Sequence, residues 1–152
     1  MASGIYRAYK ELVFAGLNVA GTEFTLRLMN NAFRTVANAA HFYTVSVLTD
    51  VAAYEVSAAD ITGYAAMPLI AGDISMITLA GTNRVTHDLA NQIWLNIQYS
   101  GSGDAYLGGL LIHQTASPYT LAHFAQFTSA VQITTALSDL TVAIPTNGLF
   151  GW

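Results

Sequence analysis

The chain has 152 residues, enough for one domain with its own core, and no cysteine, which excludes disulfides, thiolate metal sites and a cysteine nucleophile. Only 9% of its residues are charged against 53% hydrophobic, and the formal net charge is -4, where an ordinary soluble domain carries roughly 25% charged residues. The five cations, Arg7, Lys10, Arg27, Arg34 and Arg84, are too few and too scattered to track a phosphate backbone, so nucleic acid is not an expected partner.

In chain order, the N-terminus lacks a basic start followed by an apolar run and a small-residue cleavage site, so no secretory signal is expected. Ile5, Tyr9, Leu12 and Val13 fall at helical spacing and Gly16 sits where a helix ends, which predicts a short amphipathic helix over Ile5–Ala15. After Gly21 the period becomes two. Phe24, Leu26 and Leu28 alternate with Thr25, Arg27 and Met29, the pattern of a half-buried strand that stops at Asn30-Asn31. Residues 35–50 fit a short helix or a packed loop, and Tyr54-Glu55-Val56 reads as a short strand. Further strands are predicted at Ile74–Leu79, Ile93–Tyr99, Tyr106–Gln114, Tyr119–Phe127, Val131–Thr134 and Leu140–Ile144. Ser100–Asp104 reads as a hairpin-like loop, and Gly108-Gly109 as a bulge or a close backbone approach.

These elements predict an all-β fold, an antiparallel β-sandwich of jelly-roll type with a short N-terminal helix. It forms one domain over residues 1–152, with residues 1–20 as a helical arm. Ala105–Ser138 contains no Asp, Glu, Lys or Arg, yet Gln114, Ser117, Pro118, His123, Gln126 and Gln132 interrupt it too often for a membrane-spanning helix. An outer-membrane barrel is disfavoured because Pro145, Gly148 and Gly151 spoil a final strand.

The chemistry-bearing residues form no site on their own spacing. His41, His87, His113 and His123 never fall within four positions of one another, so no metal and no cofactor is expected. His113 and His123 lie on neighbouring predicted strands, where they could face each other across a hairpin and make assembly pH-sensitive. Asp60, Asp73, Asp88 and Asp104 lie near loops without a calcium-loop pattern. There is no Gly-x-Ser-x-Gly elbow, and Gly101-Ser102-Gly103 lacks the rest of a phosphate loop. An enzyme is therefore not expected. The aromatics outnumber what a small core requires, and an apolar end at Leu149-Phe150-Gly151-Trp152 is expected to seat in a neighbouring subunit.

Several segments, taken in order, resemble a group of small structural proteins of tailed bacteriophages. They are Leu26-Arg27-Leu28-Met29-Asn30-Asn31-Ala32-Phe33, His41-Phe42-Tyr43, Tyr54-Glu55-Val56-Ser57 with Gly63-Tyr64, and Ile93-Trp94-Leu95-Asn96-Ile97. Gly108-Gly109-Leu110-Leu111-Ile112, Ser117-Pro118, His123-Phe124 and the ending Pro145-Thr146-Asn147-Gly148-Leu149-Phe150 complete the set. The chain departs from that pattern at Ala58-Ala59-Asp60-Ile61 and Ala65-Ala66-Met67-Pro68. The resemblance implies a virion component without catalytic residues. The expectation is a homo-oligomer, a trimer, that decorates the capsid exterior and contacts the major capsid protein. The expected interface residues are Tyr106, Tyr119, Phe124, Phe127, Leu149, Phe150 and Trp152. The alternatives are a tail, neck or fibre-base component, or a surface module that binds host glycan.

Overall fold

A computed structural model describes residues 4–78, 81, 85–144 and 150–151. The chain is mostly β, in antiparallel sheets, with few helices. Its accessible surface of 7579 Å² is close to the roughly 7,500 Å² of a compact monomer of this mass.

The largest sheet has five strands in the order β1 (Gly4–Ile5), β9 (Leu121–Gln132), β8 (Tyr106–Gln114), β2 (Phe24–Asn30) and β4 (Met67–Leu69). Two three-stranded sheets accompany it. One runs β10 (Ser138–Val142), β7 (Gln92–Tyr99), β3 (Ile61–Thr62), and the other β11 (Phe150–Gly151), β6 (Val85–Asp88), β5 (Ser75–Thr78).

Both faces of the five-stranded sheet are buried. On one face Phe24, Leu26, Leu28, Leu110 and Ile112 join Trp94 and Ile97 of β7, Ile61 of β3 and Tyr9 in a single core. On the other, Met29, Leu111 and Phe124 meet Tyr6, Phe33, Ala37, Phe42 and Val51 in a second core. The second core is roofed by α2 (Phe33–Val36), α3 (Ala39–Thr44) and two 3-10 turns at Leu48–Asp50 and Ala52–Tyr54. The predicted half-buried strand at 24–28 is thus corrected. Thr25 and Met29 are buried as well as Leu26 and Leu28, because residues 33–54 fold back over the face expected to meet water. A strand covered on both faces also explains the near-continuous apolar run Leu107–Ile112.

The N-terminal helix forms, as α1 (Arg7–Phe14), two residues shorter at its start and one at its end than predicted. Gly16 ends it with φ +98. The Leu17 N–H donates to the Leu12 carbonyl at 2.9 Å and the Gly16 N–H to the Val13 carbonyl at 3.0 Å, the paired closure that a left-handed glycine permits. The helix is no arm, however. Tyr6 and Tyr9 are fully buried, one in each core, so the segment is part of the folded body.

Three connections also differ from expectation. Ser100–Asp104 is not a hairpin, because β7 pairs with β3 and β10 while β8 pairs with β2 and β9. The loop instead carries the chain from one sheet to another. Val131 does not begin a new strand, since β9 continues to Gln132 through a register shift that leaves several of its residues bulged out. Tyr54–Val56 forms a 3-10 turn and a single bridge between Glu55 and Met29 rather than a strand.

The expected close approach at Gly108-Gly109 is present. A Cβ on Gly109 would lie 2.5 Å from the Ala125 carbonyl oxygen and 2.5 Å from the Phe124 ring, and one on Gly108 would lie 2.6 Å from the Asn30 carbonyl. Gly109→Val is therefore expected to lower stability by about 1–3 kcal/mol through overpacking, measured as a lower urea midpoint. An unchanged midpoint would mean that β8 and β9 are not this close.

Candidate functional site

The odd-numbered face of β2 places Arg27 beneath the helical roof, where a guanidinium needs a counter-charge. Glu55, brought over β2 by the turn at Ala52–Tyr54, supplies it. Arg27 Nη1 donates to Glu55 Oε2 at 2.5 Å, and both side chains are about a fifth exposed (23% and 18%). The other carboxylate oxygen, Oε1, accepts from the Tyr64 hydroxyl at 2.8 Å, and the Tyr64 oxygen accepts from the Leu28 N–H at 3.1 Å. Burial, reinforced by the Glu55 carboxylate, keeps the phenol protonated well above its ordinary range.

His113 completes the cluster from β8. Arg27 Nε donates to its Nε2 at 2.9 Å, and its Nδ1 lies 2.7 Å from the Gln114 carbonyl. Arginine has no acceptor, so Nε2 must be the bare nitrogen and Nδ1 carries the proton. Burial lowers the His113 pKa, and Arg27 disfavours a second proton further.

A shallow depression of about 380 Å³, lined by Arg27, Glu55, Tyr64 and Ser57 among others, opens over the cluster. Chemically the cluster is a clamp. Both carboxylate oxygens and both imidazole nitrogens are engaged, which ties β2 and β8 to the roof and to the Gly63-Tyr64 turn. Sequence reasoning missed it because Arg27 and Glu55 are 28 positions apart. The available signal was a lone cation inside an apolar strand.

His113 and His123 do not face each other, as a hairpin pairing would have had it. His113 is opposite Leu121 and His123 is opposite Ile112, which puts the two rings on opposite faces of the sheet. The loop carboxylates serve their own turns. Asp73 Oδ2 accepts from the Ile70 N–H at 2.9 Å, and Asp104 Oδ1 from the Tyr106 N–H at 2.8 Å. Among the described residues no group of three or more His, Asp or Glu is placed to hold a metal, and no helix is long and apolar enough to cross a membrane.

The residues expected at an interface are scattered. Tyr106 and Tyr119 are each 45% exposed. Phe127 is half-buried against the first core. Phe124 is corrected: it is fully buried, packed edge-on to Phe33 with ring centroids 4.8 Å apart, and is unavailable to another subunit. The backbone of Phe150–Gly151 pairs with Thr86–His87 of the same chain rather than with a neighbour. Leu149 and Trp152 lie outside the described residues.

Phe127 leads to a surface feature that the sequence did not locate. A groove of about 480 Å³ runs between β9 and β10, with Leu110, Phe127, Val131, Leu140, Val142 and Ile144 as its apolar lining and Gln126, Thr128, Ser129 and Thr141 as its polar lining. Among the described residues no charged one lines it. Its size is that of an ordinary binding cleft. Ile93 and Leu95, on β7 of the same sheet as β10, add exposed apolar surface (47% and 61%).

No family model, no curated protein and no solved structure matches this chain.

The clamp makes a direct prediction. Glu55→Ala leaves Arg27 partly buried without its carboxylate and is expected to cost about 2–3 kcal/mol, somewhat below the loss for a fully buried pair. Glu11→Ala, which breaks the exposed Arg7–Glu11 pair, should move the urea midpoint far less. Equal shifts in the two variants would contradict the clamp.

Proposed function

We propose that the chain is a structural component of a tailed-bacteriophage virion. In this reading it works as a homo-oligomer, a trimer, attached without covalent bonds to the capsid exterior as a decoration protein. Its small sheets stacked over the five-stranded sheet are read as the two layers of a β-sandwich, with the helical roof as an addition.

The observation that carries the proposal is the uncharged groove between β9 and β10. It lies in and beside the stretch Ala105–Ser138, which holds no charged residue. In a cyclic trimer a residue at the axis meets its own copies, so any charge there would meet itself. A neutral patch avoids that repulsion in a chain of net charge -4. The strand edges that the described residues leave uncovered strengthen the reading. Among the described residues β10 ends its sheet, and β1 pairs with β9 at His123 and Phe124. The Ala125–Gln132 part of β9 carries none of the lysines or prolines that guard a free edge. The segmental resemblance to phage structural proteins supplies the setting, and the Arg27–Glu55–His113–Tyr64 clamp fits a rigid building block better than a reaction centre.

Ser129 and Thr141 line the groove and are exposed, so lysines there are tolerated by the fold. Light scattering of the purified chain is expected to give the mass of three copies, and Ser129→Lys with Thr141→Lys to give a folded monomer. A native chain that remains monomeric at about 100 µM, where even a weak specific contact would be populated, would overturn the proposal.

A further inference from the structure

Three of the four histidines hold one short stretch of chain. His123 on β9 stands opposite Ile5 in the strand ladder, beside the Gly4 backbone. His41 Nε2, on α3, lies 3.2 Å from the Tyr6 hydroxyl, and His87 Nε2, on β6, lies 3.0 Å from the Tyr9 hydroxyl. The backbone of this stretch has little hold of its own. Gly4 and Ile5 pair with Phe124 and His123, and the Tyr6 N–H donates to the Ala122 carbonyl at 3.1 Å. Tyr6 and Tyr9, both fully buried, enter opposite cores and so straddle the outer edge of the five-stranded sheet.

We propose that Gly4–Tyr9 is an acid-released strap: protonation of the histidines that hold it loosens it from β9 and uncovers that strand's edge for pairing with another chain.

His87 and His123 are each 1% exposed and within reach of one another's field, so a proton on either places a charge in an apolar seam and opposes a proton on its neighbour. Tyr9 meets His87 from α1, and the field of His87 on β6 disfavours charge on His123, which the Gly4 backbone partly favours. A protonated imidazole has two donors and no acceptor, so it can keep a tyrosine oxygen as partner, but the burial cost stands. His41 sits at the rim between the Phe33 and Phe42 rings, and the Asp50 carboxylate partly favours its charge. Arg7, Lys10 and Glu11 of α1 are outside this seam, and Arg7 pairs with Glu11 and lies over Tyr43.

The direction in pH follows from burial. It pushes His87 down to about 4 and His123 down to about 3, from the usual 6.5. The state with the strap released then binds more protons, on His87 and His123, than the closed one below pH 6.5. The strap keeps its full hold above that pH and loses it as pH falls toward 4, with about a tenfold change in the open-to-closed ratio per pH unit for each such histidine. The exposed edge would offer the N–H and C=O groups now taken by β1, the geometry by which a sheet accepts a strand.

Hydrogen exchange of the full chain near pH 7.5 and at about pH 5, corrected for intrinsic rates, tests the strap. Residues 4–14 are expected to lose at least about tenfold more protection than Leu110–Ile112 of β8. The variant His87→Gln with His123→Gln should abolish that difference in pH response. If this variant does not fold, the native chain alone decides. Equal loss in both regions would mean ordinary global unfolding, and no loss in residues 4–14 would mean that the histidines do not govern release. Either result overturns the proposal.

Discussion

The five-stranded sheet is covered on both faces by its own chain, and most other features follow from this. A strand in such a sheet has no wet side, so each polar group it carries must find a partner inside the fold. Arg27 meets His113 and Glu55, whose other oxygen accepts from Tyr64. Tyr9 of α1 enters the first core and meets His87 of β6, a strand of one of the three-stranded sheets. The roof over the second face is held down by Phe33, Phe42 and Val51, and it is the roof's return that brings Glu55 to Arg27. The cores also set the spacing of β8 and β9, where Gly108 and Gly109 let backbone and aromatic ring approach too closely for any side chain.

Much of the fold was legible because it obeys a local rule. The alternation at Phe24–Leu28, the apolar run of β8 and the glycine after α1 each report their own backbone geometry, and each element forms where it was expected. What local patterns could not report was the far side of the sheet. A half-buried and a fully buried strand differ in what packs over the second face, and residues 33–54, which cover it, carry only short helices. The same blindness assigned Ser100–Asp104 to a hairpin and Phe124 to an interface. Sheet partnership is settled by contacts far apart in sequence, which a glycine-serine loop does not encode.

The candidate sites show the same division. Counting four isolated histidines indicated no metal spacing, but it could not reveal that three of them converge on Gly4–Tyr9 from α3, β6 and β9. The scarcity of charge was visible at once, whereas its concentration around a groove between β9 and β10 required the two sheets to be placed side by side.

A neutral, apolar groove beside strand edges that the described residues leave uncovered suits the proposed particle, where every copy would meet the same neighbours. Small net gains per contact, after the costs of association, then multiply over a symmetric shell. The most direct measurement of this account is the copy number of the chain in purified virions by quantitative mass spectrometry. The account predicts on the order of hundreds of copies, in fixed ratio to the major capsid protein, as a repeated capsid contact requires. A chain missing from the particle, or present at only about a dozen copies as a neck part would be, would contradict it.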